Sequence, residues 1–185
     1  MNFLKGFALD FDLRTGLSGG IASTKRYLSQ MRGMYADEAA YDALLAMGDP
    51  LVYEFYEIGT PEDAGDVAAG TSIVYPGKGG KEFFMTKGHF HSVLETAEVY
   101  YCLAGKGYML IENKKGDWSA QEMFPGGMVY VPKGYAHRSV NTSNEPLVTF
   151  FAFRGDAGHD YGTIEKTGFR KLVLESGIVD NPKYC

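Results

Sequence analysis

Residues 88–105, GHFHSVLETAEVYYCLAG, decide how this chain of 185 residues is interpreted. His89 and His91 occupy alternate positions, and alternate residues of a β-strand point to the same side. Glu98 follows after six residues, and His137 lies farther along, in GYAH. Three of the four histidines of the chain belong to this pattern. Imidazole and carboxylate together suit a divalent transition metal that keeps open positions for a substrate.

The composition indicates a soluble globular protein of one domain, with 45% apolar and 22% charged residues. The 24 glycines, 13 tyrosines and 12 phenylalanines favour an all-β body rich in turns. A net charge of −5 argues against a nucleic-acid partner, which would need a basic stripe. Two cysteines make no disulfide framework, and no segment approaches a membrane span or a signal peptide. We therefore expect a cytoplasmic protein without membrane or nucleic-acid partners.

The chain divides into an N-terminal extension, residues 1–50, and a strand-rich part, residues 51–185. In the extension, Asp37 and Glu38 open a helix-like run from Ala39 to Met47, which Gly48 and Pro50 stop, and this pattern predicts one short helix. The polar stretch around residues 24–26 has no clear assignment. Beyond residue 50, short apolar runs alternate with turn signals, which predicts a sandwich or barrel. The predicted strands cover residues 51–58, 72–75, 99–103, 108–112, 128–131, 147–153 and 171–175.

Two motifs surround the ligand pattern. The second motif, G-x5-P-x-G-x2-H-x3-N, is matched in full by Gly126, Pro132, Gly134, His137 and Asn141. In this respect the chain resembles the cupin superfamily, whose fold is a jelly-roll β-barrel. In the first motif of that superfamily, six residues separate a glutamate from the glycine that ends the motif, and here these residues are Glu98 and Gly105. Glu95, at the shorter spacing, is interpreted as a solvated loop acid.

The longer spacing to the glutamate resembles one cupin family, the metal-dependent phosphoglucose isomerases. The resemblance covers roughly residues 50–182. It is carried by YPGK (75–78), EFF (82–84), TKGHFH (86–91), AEVY (97–100), VYVP (129–132), AHR (136–138) and DAGHDYGT (156–163). It implies interconversion of glucose 6-phosphate and fructose 6-phosphate in glycolysis and gluconeogenesis, and a homodimer as in the family.

The resemblance implies that one divalent metal is bound by His89, His91, Glu98 and His137, with Glu98 and His137 catalytic. Iron(II) is the metal expected first, and manganese, nickel, cobalt and zinc are alternatives. The metal would act as a Lewis acid toward the sugar oxygens. In an enediol route Glu98 would carry the proton between C1 and C2, whereas a hydride route needs no base. The sequence does not choose between these routes.

The resemblance also places residues around the substrate. Ser72, Thr86 and the Gly88 N–H are expected at the phosphate, and Lys87 either adds charge there or points outward. Further candidates are His159 and Tyr161, whose alternative is a packed polar loop, and Tyr53 and Tyr100, whose alternative is core packing.

Two departures from the family pattern stand out. Gly134-Tyr135 replaces a Tyr-Trp pair of some relatives, and Phe153 replaces a tyrosine, which would remove one hydroxyl near the sugar. Two rival functions use the same ligands: a cupin dioxygenase, and a metal-bearing sugar-phosphate sensor that lacks turnover.

Overall fold

The computed structural model describes residues 5–184; the first four residues of the predicted extension and Cys185 lie outside this range. Within it the chain forms thirteen β-strands, two α-helices and one 3-10 helix, at Leu28–Met31. The α-helices are α1 (Glu38–Met47) and α2 (Tyr161–Thr167). The strands are β1 (Ser23–Tyr27), β2 (Leu51–Glu57), β3 (Val67–Val74), β4 (Lys78–Gly79), β5 (Glu82–Phe83), β6 (Glu98–Ala104), β7 (Gly107–Asn113), β8 (Trp118–Met123), β9 (Met128–Val131), β10 (Tyr135–Asn141), β11 (Leu147–Arg154), β12 (Lys171–Leu174) and β13 (Gly177–Asp180).

The helix predicted in the extension is confirmed as α1. The Asp37 side chain accepts a hydrogen bond from the Ala40 N–H at 2.9 Å, which satisfies one of the free amides at the helix start. Helix α1 buries Tyr41, whose hydroxyl donates to the Leu28 carbonyl at 2.7 Å. The polar stretch at residues 24–26 belongs to β1, which pairs with β2 across the predicted boundary at residue 50. That boundary stays a prediction.

The strands form three antiparallel sheets. The largest has the order β1-β2-β3-β11-β6-β9, the second β10-β7-β8, and a small one β13-β12-β5-β4. Along β6 the buried residues alternate with more exposed ones, so Glu98, Tyr100 and Cys102 share the inner face. One hydrophobic core contains side chains from the two larger sheets and from both α-helices, among them Val52, Met109 and Ile164.

The prediction of an all-β body is confirmed, and strands lie in each of the seven predicted segments. Helix α2 and strands β1, β4, β5, β8, β10 and β13 were not predicted. No helix within residues 5–184 is long and apolar enough to cross a membrane.

Candidate active site

Three parts of the chain bring the four predicted metal ligands together. Glu98 opens β6, and His137 lies on β10. His89 and His91 come from the connection between β5 and β6. The prediction that these two histidines share a regular strand is wrong, because this connection pairs with its neighbours only through isolated bridges. One of these bridges joins His89 to His137 through two backbone hydrogen bonds, 3.1 and 3.3 Å long.

The ligand cluster, defined as His89, His91, Glu98 and His137, has the geometry of a cation site. One potential ligand atom from each residue lies within 4.8 Å of all the others. Glu98 Oε2 is 2.8 Å from His137 Nε2 and 3.1 Å from His91 Nε2.

The same atoms lack hydrogen bonds. Glu98 Oε2 and the Nε2 atoms of the three histidines are buried, and none forms a hydrogen bond with the described residues. The Nδ1 atoms of His91 and His137 are also buried without a partner. Each unpaired buried polar atom destabilises a fold by about 1–3 kcal/mol. Four such atoms that converge on one point fit a bound metal ion, which would pair with all of them.

The electrostatic environment agrees with that fit. Burial alone would raise the pKa of Glu98, but the nearby rings of His137 and His91 outweigh it and hold the pKa below its ordinary value. Burial, reinforced by His137 and His159, lowers the pKa of His89 well below its ordinary value. Ionised carboxylate and neutral imidazole are the forms that bind a metal.

A pocket adjoins the ligand cluster, and all the residues predicted at the substrate line it. Its wall also includes His89, Glu98 and His137. The predicted substrate residues in the wall are Tyr53, Ser72, Thr86, Gly88, Tyr100, His159 and Tyr161. Tyr53 and Tyr100 belong to the hydrophobic core as well, so both interpretations of these tyrosines describe part of their environment. Burial raises the pKa of both tyrosines, which therefore keep their hydroxyl protons as donors.

His159 and Tyr161 reach the site through a second isolated bridge. The backbones of Asp160 and Phe90 exchange hydrogen bonds of 2.7 and 3.2 Å. His159 and Tyr161, which flank Asp160, therefore lie beside the histidines that flank Phe90. The ring of His159 is 4.5 Å from that of His89, and Tyr161 stacks on His159 at 5.7 Å, measured between ring centroids. Burial lowers the pKa of His159, which favours the neutral ring.

Sequence reasoning missed three residues of the pocket wall: Phe55, Glu57 and Phe151. Phe55 and Glu57 follow Tyr53 at alternate positions on β2, and Phe151 lies on β11, which pairs with β6 beside Tyr100. The alternation from Tyr53 was the available signal for the first two residues.

Four other residues that the sequence singled out, Glu95, Lys87, Phe153 and Gly134, lie at different distances from the pocket. Glu95 is exposed and pairs with Lys133, as expected of a loop acid. Lys87 points outward to Glu165, with 2.9 Å between Nζ and Oε1, and does not line the pocket. Phe153 does line it, 5.3 Å from the ring of His91, so this departure places a phenyl ring at the site. Gly134 lies outside the pocket wall.

A jelly-roll of antiparallel strands that gathers three histidines and one glutamate beside a pocket is the arrangement of a cupin protein with a candidate metal centre. The chain belongs to the glucose-6-phosphate isomerase (GPI) family, whose family model matches residues 25–184.

Relatives that align over nearly the whole chain are also named glucose-6-phosphate isomerases. The glucose-6-phosphate isomerase of Thermococcus gammatolerans is 47% identical and aligns over 100% of this chain and 99% of its own. That of Pyrococcus furiosus is 46% identical over 96% of both chains. A putative glucose-6-phosphate isomerase 2 of Rhizobium meliloti is 42% identical over 93% of this chain and 88% of its own. Among solved structures, Bacillus subtilis oxalate decarboxylase at pH 4.6 is 25% identical over 58% of this chain and 26% of its own, with a TM-score of 0.45, a likeness too distant to bear on function.

Proposed function

We propose that this protein is a metal-dependent enzyme that interconverts glucose 6-phosphate and fructose 6-phosphate. The observation that carries the proposal is the ligand cluster, in which four buried ligand atoms without hydrogen bonds converge at the wall of a pocket. Membership of the isomerase family supplies the substrate and the reaction class. An aldose–ketose isomerisation moves one hydrogen between C1 and C2 while the carbonyl changes place.

The ligand cluster would hold one divalent transition metal. When bound, such a metal supplies Lewis-acid polarisation of oxygen atoms, a contribution that neutral side chains cannot match. Iron(II) is the metal we expect first, with manganese, nickel, cobalt and zinc as alternatives, because histidine and carboxylate ligands accept all of them.

Glu98 is proposed as the residue that carries the proton between C1 and C2. Its low pKa makes it a weak base, since a good base has a pKa near the working pH. Direct hydride transfer between the carbons is therefore the alternative route. Conversion in deuterium oxide distinguishes them, because proton transfer through Glu98 brings solvent deuterium into the product and direct transfer does not.

Opposite the ligand cluster we place the anion end of the pocket, defined as the hydroxyls of Ser72 and Thr86 and the backbone N–H of Gly88. The Thr86 oxygen accepts a hydrogen bond from the Ser139 N–H at 3.1 Å, which leaves its hydroxyl proton for the substrate phosphate. No lysine or arginine occurs among the described residues that line the pocket, although the charge of Arg26 acts on two of its tyrosines, Tyr53 and Tyr161. The donors placed at the phosphate would therefore be neutral. His159 and Tyr161, beside His89, are proposed to hold the sugar hydroxyls.

Three further properties remain predictions from the sequence: a homodimer, a cytoplasmic location, and a role in glycolysis and gluconeogenesis. A sugar phosphate as the partner molecule agrees with the family.

The test is conversion of fructose 6-phosphate by purified protein that is stripped with a chelator and then supplied with single metals. We expect activity to vanish with the chelator and to return with iron, manganese or nickel. Oxygen uptake with iron and no sugar conversion would identify a dioxygenase instead. Binding of the sugar phosphate without turnover in any metal would identify a sensor.

A further inference from the structure

Arg138 is a buried charge that the proposed mechanism does not use. It lies on β10 between His137 and Ser139, is 1% exposed, and does not line the pocket. Among the described residues, no carboxylate forms an ion pair with its guanidinium. The buried acids whose charges act on it, Glu82 and Glu112, accept hydrogen bonds from the backbone N–H groups of Ala36 and Arg170. Burial of a guanidinium without a directly paired carboxylate lowers the stability of the folded state unless other polar groups bind it.

The backbone opposite Arg138 contains a bulge. Thr86 pairs with Ser139 through an N–H to carbonyl hydrogen bond of 3.0 Å, and His89 pairs with His137. Two residues, Lys87 and Gly88, therefore face the single residue Arg138. One extra residue opposite a partner strand is the definition of a β-bulge, a device that redirects backbone groups beside active sites.

The Arg138 side chain binds the carbonyl group that the bulge displaces. Its Nη2 and Nε donate hydrogen bonds to the Lys87 carbonyl oxygen, at 2.5 and 3.2 Å. The guanidinium also lies over the Phe169 ring, 4.4 Å from the centroid. Two charge-assisted hydrogen bonds to one carbonyl hold that peptide plane in a single orientation.

The other side of the same peptide plane is the Gly88 N–H. The described peptide bonds are all trans, so this N–H points opposite to the Lys87 carbonyl and thus away from Arg138. Gly88 lines the pocket, and its N–H forms no hydrogen bond within the described residues. Its φ of +75° favours glycine, and a Cβ atom there would lie 2.6 Å from the Phe169 ring.

We propose that Arg138 is a positioning residue for substrate phosphate: through the Lys87 carbonyl it orients the Gly88 N–H into the anion end of the pocket. Its buried positive charge also polarises this peptide and favours an anion on the far side of it. The inference rests on the proposed function for the identity of the anion. It would also supply positive charge behind a pocket wall that has no lysine or arginine of its own.

The test compares the wild type with Arg138→Met, Arg138→Lys and Arg170→Met. Arg170 is the matched control, because its guanidinium also lies 4.4 Å from a ring centroid, that of Tyr184, but contacts neither the bulge nor the pocket. The affinity of inorganic phosphate is measured by calorimetry on metal-loaded and metal-stripped protein, which separates phosphate bound to the metal. KM and kcat for fructose 6-phosphate and the bound metal are measured on the loaded proteins.

We expect Arg138→Met to weaken phosphate binding and raise KM by about ten- to hundredfold, the effect of losing one hydrogen bond to a charged group. The kcat and metal content should stay near wild type, Arg138→Lys should be intermediate, and Arg170→Met should match the wild type. Unchanged phosphate affinity in folded Arg138→Met, or a loss confined to kcat or metal, would overturn the inference. So would an equal loss in Arg170→Met.

Two further measurements apply if Arg138→Met does not fold or if the wild type shows no turnover. If Arg138→Met does not fold, Phe169→Leu removes the ring under the guanidinium, and weaker phosphate binding without loss of metal supports the inference; unchanged binding overturns it. Phosphate titration needs no turnover. A wild type that binds phosphate in the Arg138-dependent manner but converts no sugar would contradict the proposed function alone.

Discussion

The two proposed ends of the pocket, the ligand cluster and the anion end, would bind charge in opposite ways. At the ligand cluster, one carboxylate oxygen and three imidazole nitrogens converge, and none of these four atoms has a hydrogen bond of good geometry with the described residues. At the anion end, neutral hydroxyl and amide donors line the wall, and the positive charge of Arg138 lies behind it. We propose that a bound cation completes the first end, whereas the donors of the second are already present in the folded chain. This difference predicts that metal removal abolishes turnover but leaves much of the phosphate affinity.

The largest expected effect comes from Glu98→Gln, which breaks the ligand cluster at its only carboxylate. The amide keeps the size of the side chain but loses the negative charge among the three rings. We expect kcat for fructose 6-phosphate to fall by about 10²–10⁴-fold, the usual contribution of a general acid or base. Metal affinity should fall by at least the ~10–100-fold that changes around metal ligands typically cause. Turnover and bound metal are the measurements.

The chain contains a matched control for this change three residues away. Glu95→Gln alters an acid that is exposed and pairs with Lys133 on the surface, an interaction worth about 0–1 kcal/mol. Its activity and metal content should equal those of the wild type. Wild-type turnover in Glu98→Gln, or an equal loss in Glu95→Gln, would mean that the assigned ligand cluster is wrong.

A smaller effect is expected at the anion end, from Ser72→Ala and Thr86→Val. Each change removes a hydroxyl donor and leaves the ligand cluster intact. We expect KM for fructose 6-phosphate to rise by about ten- to hundredfold for each change, because a hydrogen bond to a charged group contributes about 1.5–3 kcal/mol. The kcat should stay close to wild type. Steady-state kinetics at saturating metal measure both constants.

Ser139→Ala is the control for the hydroxyl changes, since its side chain is buried but does not line the pocket. It should leave KM unchanged. A wild-type KM in the Ser72 and Thr86 variants would remove these residues from the phosphate site, and a fall in kcat alone would move them toward the reacting carbons.

The ligand cluster could be predicted from the sequence because its chemistry depends on residue type and lies in short motifs. The spacing from His89 to Glu98 and the position of His137 were enough to group the ligands, although the strand expected for His89 and His91 is an irregular segment. Helix α1 was equally readable from Asp37 and Gly48.

The support of the anion end could not be predicted in the same way. The contact between Arg138 and the Lys87 carbonyl joins residues 51 positions apart and depends on a bulge of the backbone. Strand β10 could not be predicted for a related reason. It is almost entirely buried, yet four of its seven residues are polar: His137, Arg138, Ser139 and Asn141. Arg138, Ser139 and Asn141 bind partners that only the folded chain brings near, and His137 belongs to the ligand cluster, so no hydrophobic pattern marks β10 as a strand.

The smallest expected effect concerns Glu57, a carboxyl group in the pocket wall that neither end of the pocket uses. Burial, together with the charges of Glu98 and Glu62, raises the pKa of Glu57 above its ordinary value of 4.5. Protonation therefore favours the folded state, and the stability present below about pH 4.5 is lost as the pH rises through the folded-state pKa. Glu57→Gln, which cannot ionise, should melt at a higher temperature than the wild type at neutral pH, by a few degrees or less. Thermal melting of metal-stripped protein between pH 4.5 and 8 measures this gap, which should close toward the acidic end.

Glu62→Gln, at an exposed neighbour, should show a smaller change. A gap that is independent of pH would show that ionisation of Glu57 does not cause it. A wild type that is the more stable protein at neutral pH would show that Glu57 is stabilised as an anion and that the pocket holds a positive charge near it.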